Sequence, residues 1–449
     1  MKSFFAKRLH SVIPGGAHTY SRGDDQFPSN APSILVSGQG AYVYDSDGDE
    51  FLDYGMGLRS VNIGYGNREI ADACYKEILN GNNLTRASMT ELEAAELLVS
   101  LIPSVEMVKF AKHGSIVTTA AIKLSRAYTG KKYIAIPFEQ PFFSFDDWFI
   151  GSTPMSKGCL EESSQYTIRF NYNNIDSLKS LFEKYPNQIA GVMLEAATTI
   201  KPCLNTCDLT SPCNECTSSK FNFLNQVMEL CHKNESLFIL DEMITGFRWH
   251  LNGAQAFYGI EPDLCTFGKA MANGFAVAAL AGKKEIMSLG GILNKGQERV
   301  FLTSTTHGAE MVGLGAFIKT IEILKRDLVI DHFWNYGNKL KAMVNSISSG
   351  LGLQDYFAIE GYGCSPNYIT KDQNGIHSLE MRTLFSQEMI RNKVLMPYIA
   401  ISFSHQENEL KKTLNAIEKS LKIYKKALKE GINSYLISPA IMPVFRKYN

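Results

Sequence analysis

Lys269 follows the run Asp263-Leu264-Cys265-Thr266-Phe267-Gly268, and Asp241 follows a second run, Ser236-Leu237-Phe238-Ile239-Leu240. Both runs read as buried strands, one ending in an amine and one in a carboxylate, which puts opposite charges at one edge of a sheet. In an open α/β sheet, ligands bind at the carboxyl edge. A carboxylate at the end of an apolar strand is costly to bury without a cationic partner. The apolar neighbours Phe267, Ala270 and Met271 favour a nucleophilic amine at Lys269. A lysine beside an aspartate points to a Schiff base on pyridoxal phosphate, with the aspartate on the pyridinium nitrogen. The plainer alternatives are a surface loop lysine and a helix-capping aspartate.

Positioning these groups takes repeated strand–loop–helix units. An apolar run over 105–110 leads through His113-Gly114-Ser115 into a helical pattern over 118–128. Further short apolar runs cover 133–136, 190–194, 237–240 and 264–267, and a helical pattern covers 223–232. Strands alternating with helices predict an α/β fold with a mainly parallel sheet covered on both faces. Residues 34–54 alternate apolar and polar around Asp47-Gly48, as in a small antiparallel meander. Ile70, Ala73, Cys74 and Ile78 then share one helical face, and another helix runs near 91–101. Beyond about Gly315 the chain is helix-rich, with short strands around 357–361 and 394–402. The expected organisation is a large domain over 61–314 and a small α+β domain from 1–60 and 315–449.

In His113-Gly114-Ser115, a glycine and a hydroxyl open a helix, and outward-facing N–H groups there suit a phosphate. Taken alone, the motif reads first as an ordinary serine cap, ahead of a phosphate site.

The 449 residues are 45% hydrophobic and 20% charged, enough to bury a large core. Lys+Arg and Asp+Glu each number 45, so a bulk electrostatic pull on nucleic acid or an anionic membrane is not expected. The lysine-dotted stretch 411–429 reads as a solvated helix face. The N-terminus lacks the apolar core of a signal peptide, and no window approaches the roughly 18 apolar residues of a membrane span. A cytoplasmic location is expected, where nine cysteines serve as thiols or metal ligands. Cys203, Cys207, Cys213 and Cys216 crowd a polar insertion over 202–218, and the last pair has C-x-x-C spacing. That pattern fits a zinc or iron–sulfur centre, or a cysteine-rich insertion without metal.

Asp241-Glu242-Met243-Ile244-Thr245-Gly246-Phe247-Arg248, followed by Pro262-Asp263-Leu264 and Gly268-Lys269, resembles the signature of class III pyridoxal-phosphate aminotransferases. It is most similar to the glutamate-1-semialdehyde aminomutase branch, and the resemblance runs from Pro14-Gly15-Gly16 to about His405. It implies fold type I: a large domain with a mostly parallel, seven-stranded type of sheet, a small α+β domain, and a homodimer with shared active sites. By position it implies Lys269 as the Schiff-base lysine, Asp241 as the pyridinium partner, and Gly114 and Ser115 as the phosphate turn. Phe142 matches the ring-stacking aromatic residue, and Glu195 an acidic residue near the site. Thr305 matches a threonine reaching the phosphate of the partner subunit. Arg22 lines up with a substrate-side arginine, and His113 and His307 are secondary pocket candidates.

Several motifs depart from the aminomutase pattern. The usual Ser-Gly-Thr-Glu-Ala run reads His113-Gly114-Ser115-Ile116-Val117, and the usual Tyr-His-Gly reads Phe142-Phe143-Ser144. Ser304-Thr305-Thr306-His307-Gly308 replaces the more familiar Gly-Asn-Pro version. These variants look more like family members that aminate a sugar, such as the 8-amino-3,8-dideoxy-manno-octulosonate transaminases. The expected activity is therefore amino transfer from an amino acid, glutamate, to a keto or aldehyde sugar. The alternatives are a glutamate-1-semialdehyde 2,1-aminomutase and an inert homologue acting as scaffold or regulator.

Overall fold

The computed structural model describes residues 2–198, 200–203 and 222–448. The chain divides into two compact units, one formed by 1–67 with 331–446 and the other by 68–330 with 447–449.

In the smaller unit the meander forms as read: β1 (Leu35–Gln39), β2 (Tyr42–Asp45) and β3 (Glu50–Asp53) are antiparallel neighbours. The larger unit holds β4 (Met107–Ala111), β5 (Tyr133–Pro137), β6 (Thr167–Phe170), β7 (Ile189–Glu195), β8 (Leu237–Glu242), β9 (Leu264–Phe267) and β10 (Ala278–Gly282). These make a seven-stranded sheet in the order β4-β10-β9-β8-β7-β5-β6. Neighbours from β9 to β6 are parallel, while β10 runs antiparallel to both β9 and β4. Every residue of β7, β8 and β9 is buried, as continuous apolar runs covered on both faces require. In the smaller unit β11 (Phe357–Tyr362) and β12 (Ser365–Thr370) form a hairpin, and β13 (Val394–Leu395) adds to β3 in parallel.

Neither β6 nor β10 is legible in the sequence. The run Ala278-Ala279-Leu280-Ala281-Gly282 has weak strand propensity, yet it is fully buried between β4 and β9, where pairing on both sides overrides propensity. The helix Met311–Arg326 crosses position 315 and stays with the larger unit, packed against the helices Arg68–Leu79 and Met89–Leu101. The helical face read at 70–78 is also rotated. Ile70, Cys74 and Glu77 point inward, with Glu77 accepting the Thr90 hydroxyl at 3.0 Å, whereas Tyr75, Ile78 and Leu79 are exposed.

Candidate active site

The functional side chains cluster because β4, β5, β7, β8 and β9 all point their carboxyl ends one way. Register completes the arrangement: Glu195, Asp241 and Thr266 are successive partners across β7, β8 and β9. Asp241 is buried, and its Oδ1 accepts the Met243 N–H at 2.9 Å and the Thr266 hydroxyl at 3.0 Å. Burial pushes the Asp241 carboxyl above its ordinary range, while the Met243 N–H, the Lys269 charge and the Thr266 hydroxyl pull it down.

Lys269 opens a single 3-10 turn, Lys269–Ala272, directly after β9. Its φ of 43° lies in the left-handed region, a conformation non-glycine residues adopt at a cost of about 1–3 kcal/mol. Buried Ala270, Met271 and Ala272 hold the turn in place.

The helix Gly114–Thr129 starts beside this pair. Its N-cap His113 makes no side-chain cap bond, so the first-turn N–H groups face outward without that partner. Ser115 Oγ accepts the Phe145 N–H at 3.1 Å, leaving the hydroxyl hydrogen to be donated elsewhere. Thr118 Oγ1 contacts the carbonyls of Gly114, Ser115 and Phe143, which fastens the loop after β5 to the helix start. A side chain on Gly114 would place its Cβ 2.9 Å from Met243 Sδ, and one on Gly268 2.6 Å from the same atom. Met243 thus ties together the loops after β4, β8 and β9, and only glycines leave room for it.

The remaining expected residues are placed as follows. Phe142 is exposed, with its ring 5.8 Å from that of Phe149. His113 lies 5.0 Å from the Phe145 ring, and burial lowers its pKa against the opposing pull of Asp146. The Glu195 backbone is clamped by Gln140, whose amide accepts from its N–H and donates to its carbonyl, both at 2.8 Å. Thr305 and His307 are exposed on a segment whose Gly308 approaches the Phe110 carbonyl at the end of β4. Arg22 ends the 3-10 turn Tyr20–Arg22 in the smaller unit. Cys203 is buried, and Cys207, Cys213 and Cys216 lie outside the described residues. Among the described residues no group of three or more His, Cys, Asp or Glu side chains is arranged to hold a metal. No helix there is long and apolar enough to cross a membrane.

Sequence reasoning missed Thr266, Met243 and Thr118. Thr266 lay inside an apolar run, and only the β8–β9 register sets it against Asp241. The surroundings fit pyridoxal phosphate. A buried carboxylate that resists ionisation calls for a cation such as a pyridinium. An amine stands at the next strand end, and a helix start with uncapped N–H groups suits a phosphate.

The class III aminotransferase family matches residues 24–200 and 214–355. A 3-aminobutyryl-CoA aminotransferase of Cloacimonas acidaminovorans is 35% identical over 93% of this chain and 95% of its own length. A glutamate-1-semialdehyde 2,1-aminomutase of Francisella philomiragia is 30% identical over 92% of this chain and 96% of its own. Among solved structures, the pyridoxal-phosphate form of FumI from a Sphingopyxis species superposes with a TM-score of 0.82 at 23% identity, covering 96% of this chain and 97% of that one. An omega-transaminase of Sphaerobacter thermophilus gives 0.80 at 22% identity, covering 94% and 98%. Both share the fold.

Proposed function

The chain belongs to the class III aminotransferases, enzymes of the aminotransferase or aminomutase kind, and we propose that it moves the amino group of glutamate onto a keto or aldehyde sugar. Pyridoxal phosphate is the cofactor expected of the class. The observation that carries amino transfer is the Asp241–Thr266–Lys269 cluster beside a glycine–serine helix start. The curated relatives are named for 3-aminobutyryl-CoA and for glutamate-1-semialdehyde, so the sugar acceptor rests on the loop motifs and not on those names. The Phe142-Phe143-Ser144-Phe145 loop, in departing from the aminomutase pattern, supports an acceptor other than the semialdehyde.

When bound, the cofactor supplies an aldehyde for amines and a ring that takes up electron density. In this reading the N–H groups of the Gly114–Thr129 helix start and the Ser115 hydroxyl bind its phosphate. Phe142 covers one ring face and excludes water from it. Asp241, held by Met243 and Thr266, keeps the proton on the ring nitrogen. With the cofactor bound, the Lys269 amine would accept the proton of the donor's α-carbon as a general base and give it up again as a general acid. Arg22 binds the substrate carboxylate, with His113 and His307 lining the pocket and Glu195 near the ring.

Thr305 reaches the cofactor phosphate of a second copy, so the proposed unit is a homodimer. The exposed side chains Tyr75, Ile78, Leu79, Leu84, Met89 and Leu92 support an apolar face for that partner. Light scattering should give twice the chain mass, falling to one chain mass in Leu79→Glu.

A half-reaction screen tests the substrate. Enzyme loaded with pyridoxamine phosphate is mixed with keto sugars, sugar aldehydes or glutamate-1-semialdehyde, and visible absorbance is followed. Recovery with a sugar supports the proposal. Recovery with the semialdehyde alone overturns it in favour of the aminomutase reading, which the 30% identical relative supports.

A further inference from the structure

The smaller unit contains a cleft of about 250 Å³ between β2, β3, β13 and the helix Glu407–Glu430. Read from sequence, Lys412 and Lys419 belong to a solvated helix face. In the structure both line this cleft together with Lys393, against one lining carboxylate, Glu50. Lys412, Asn415 and Lys419 stand on one side of the helix at the i, i+3, i+7 spacing, and all three line the cleft.

Two of the three ammonium groups are held in place by aromatic rings. Lys412 Nζ donates to the Tyr42 hydroxyl at 2.9 Å and lies 4.6 Å from that ring's centroid. Lys393 Nζ lies 4.9 Å from the Phe51 ring and 2.8 Å from Asp49. Lys393 also has a φ of 61°, just past the helix Leu379–Arg391, where glycine is the ordinary occupant. A lysine in that disfavoured backbone state lines the cleft that a glycine would leave uncharged. Among the described residues Lys419 makes no ion pair, so its charge is not spent within the protein.

We propose that this cleft binds a small phosphate-bearing anion, at a site built from none of the residues around Lys269. The Lys419 ammonium, unpaired among the described residues, and the Asn392 and Asn415 amides suit an oxyanion, which lysines commonly bind. Lys393 shares its charge with Asp49, and Lys412 donates to Tyr42, whose hydroxyl donates to Glu409. The volume is below the about 300–1,000 Å³ of drug-sized sites, so it fits a phosphate or diphosphate group, with any remaining ligand outside. Glu50, whose carboxylate accepts the Tyr44 hydroxyl at 3.0 Å, opposes that charge.

The test is calorimetric titration of the pyridoxal-phosphate holoenzyme with inorganic pyrophosphate and with ADP, at ionic strength fixed with chloride. One saturable site per chain is expected. Affinity should fall about threefold in Lys419→Gln and about tenfold in the Lys393→Gln/Lys419→Gln pair, and rise about twofold in Glu50→Gln. Tighter binding of ADP assigns the phosphate to a nucleotide, and binding of pyrophosphate alone assigns it to a free inorganic anion. No saturable binding, equal affinity across the variants, or a change in cofactor absorbance on titration overturns the proposal.

Discussion

The Thr266 hydroxyl donates to Asp241 Oδ1 at 3.0 Å across parallel strands whose register sets the two residues side by side. A hydrogen bond to a charged group contributes about 1.5–3 kcal/mol. Thr266→Val keeps the shape and removes the donor, so kcat should fall about tenfold or more. Thr266→Ser should recover most of the loss. Asp241→Asn removes the charge itself and should lower kcat by about 10²-fold or more, with the fold intact by circular dichroism. Equal activity in Thr266→Val and wild type would remove Thr266 from the machinery.

Met243 makes a second prediction. A methyl group on Gly268 would sit 2.6 Å from Met243 Sδ, and one on Gly114 2.9 Å away. Gly268→Ala must therefore push Met243 or the Lys269 turn aside, and cofactor affinity should fall about tenfold, the scale of an overpacked core at about 1–3 kcal/mol. Shortening the neighbour, as in Gly268→Ala/Met243→Ala, should restore affinity part of the way. Fluorescence titration with pyridoxal phosphate measures both. A double variant weaker than the single one would mean that the Met243 contact is not the cause.

How far the sequence carried this site depends on which residues had a pattern to read. Asp241 and Lys269 were legible because each ends an apolar run, and a buried strand of that kind has few other readings. The helix at Gly114 was legible from its periodicity over 118–128, whereas Gly130, which closes it in the left-handed conformation, was not read. Thr266 and Met243 were not, because parallel register is set by the whole sheet and leaves no local mark. β10 was hidden by its alanines, and the inward turn of Glu77 by the assumption that the apolar side of a helix faces the core. The lysines at 412 and 419 looked like a solvated face because the sheet that forms the cleft with them comes from distant parts of the chain.

Asp263 gives a pH prediction. Burial raises its carboxyl pKa, but His232 at 3.0 Å, Lys283 at 2.5 Å and the Phe238 N–H outweigh burial and hold it below 3.8. A carboxylate lowered in the folded state contributes stability that is fully present above 3.8 and is lost as pH falls through the folded value. Asp263→Asn should therefore lower the melting temperature at neutral pH and flatten the acid limb of stability against pH below about 4. An unchanged acid limb in the variant would contradict this assignment.

The central claim is that Lys269 is the amine that bonds the cofactor, and borohydride reduction tests it most directly. Holoenzyme reduced in the presence of pyridoxal phosphate, digested and mapped by mass spectrometry should carry the phosphopyridoxyl group on the peptide containing Lys269. Lys269→Ala should lose the label together with the visible absorbance band. A label on a different lysine in the wild type, or a labelled and coloured Lys269→Ala, would contradict the account.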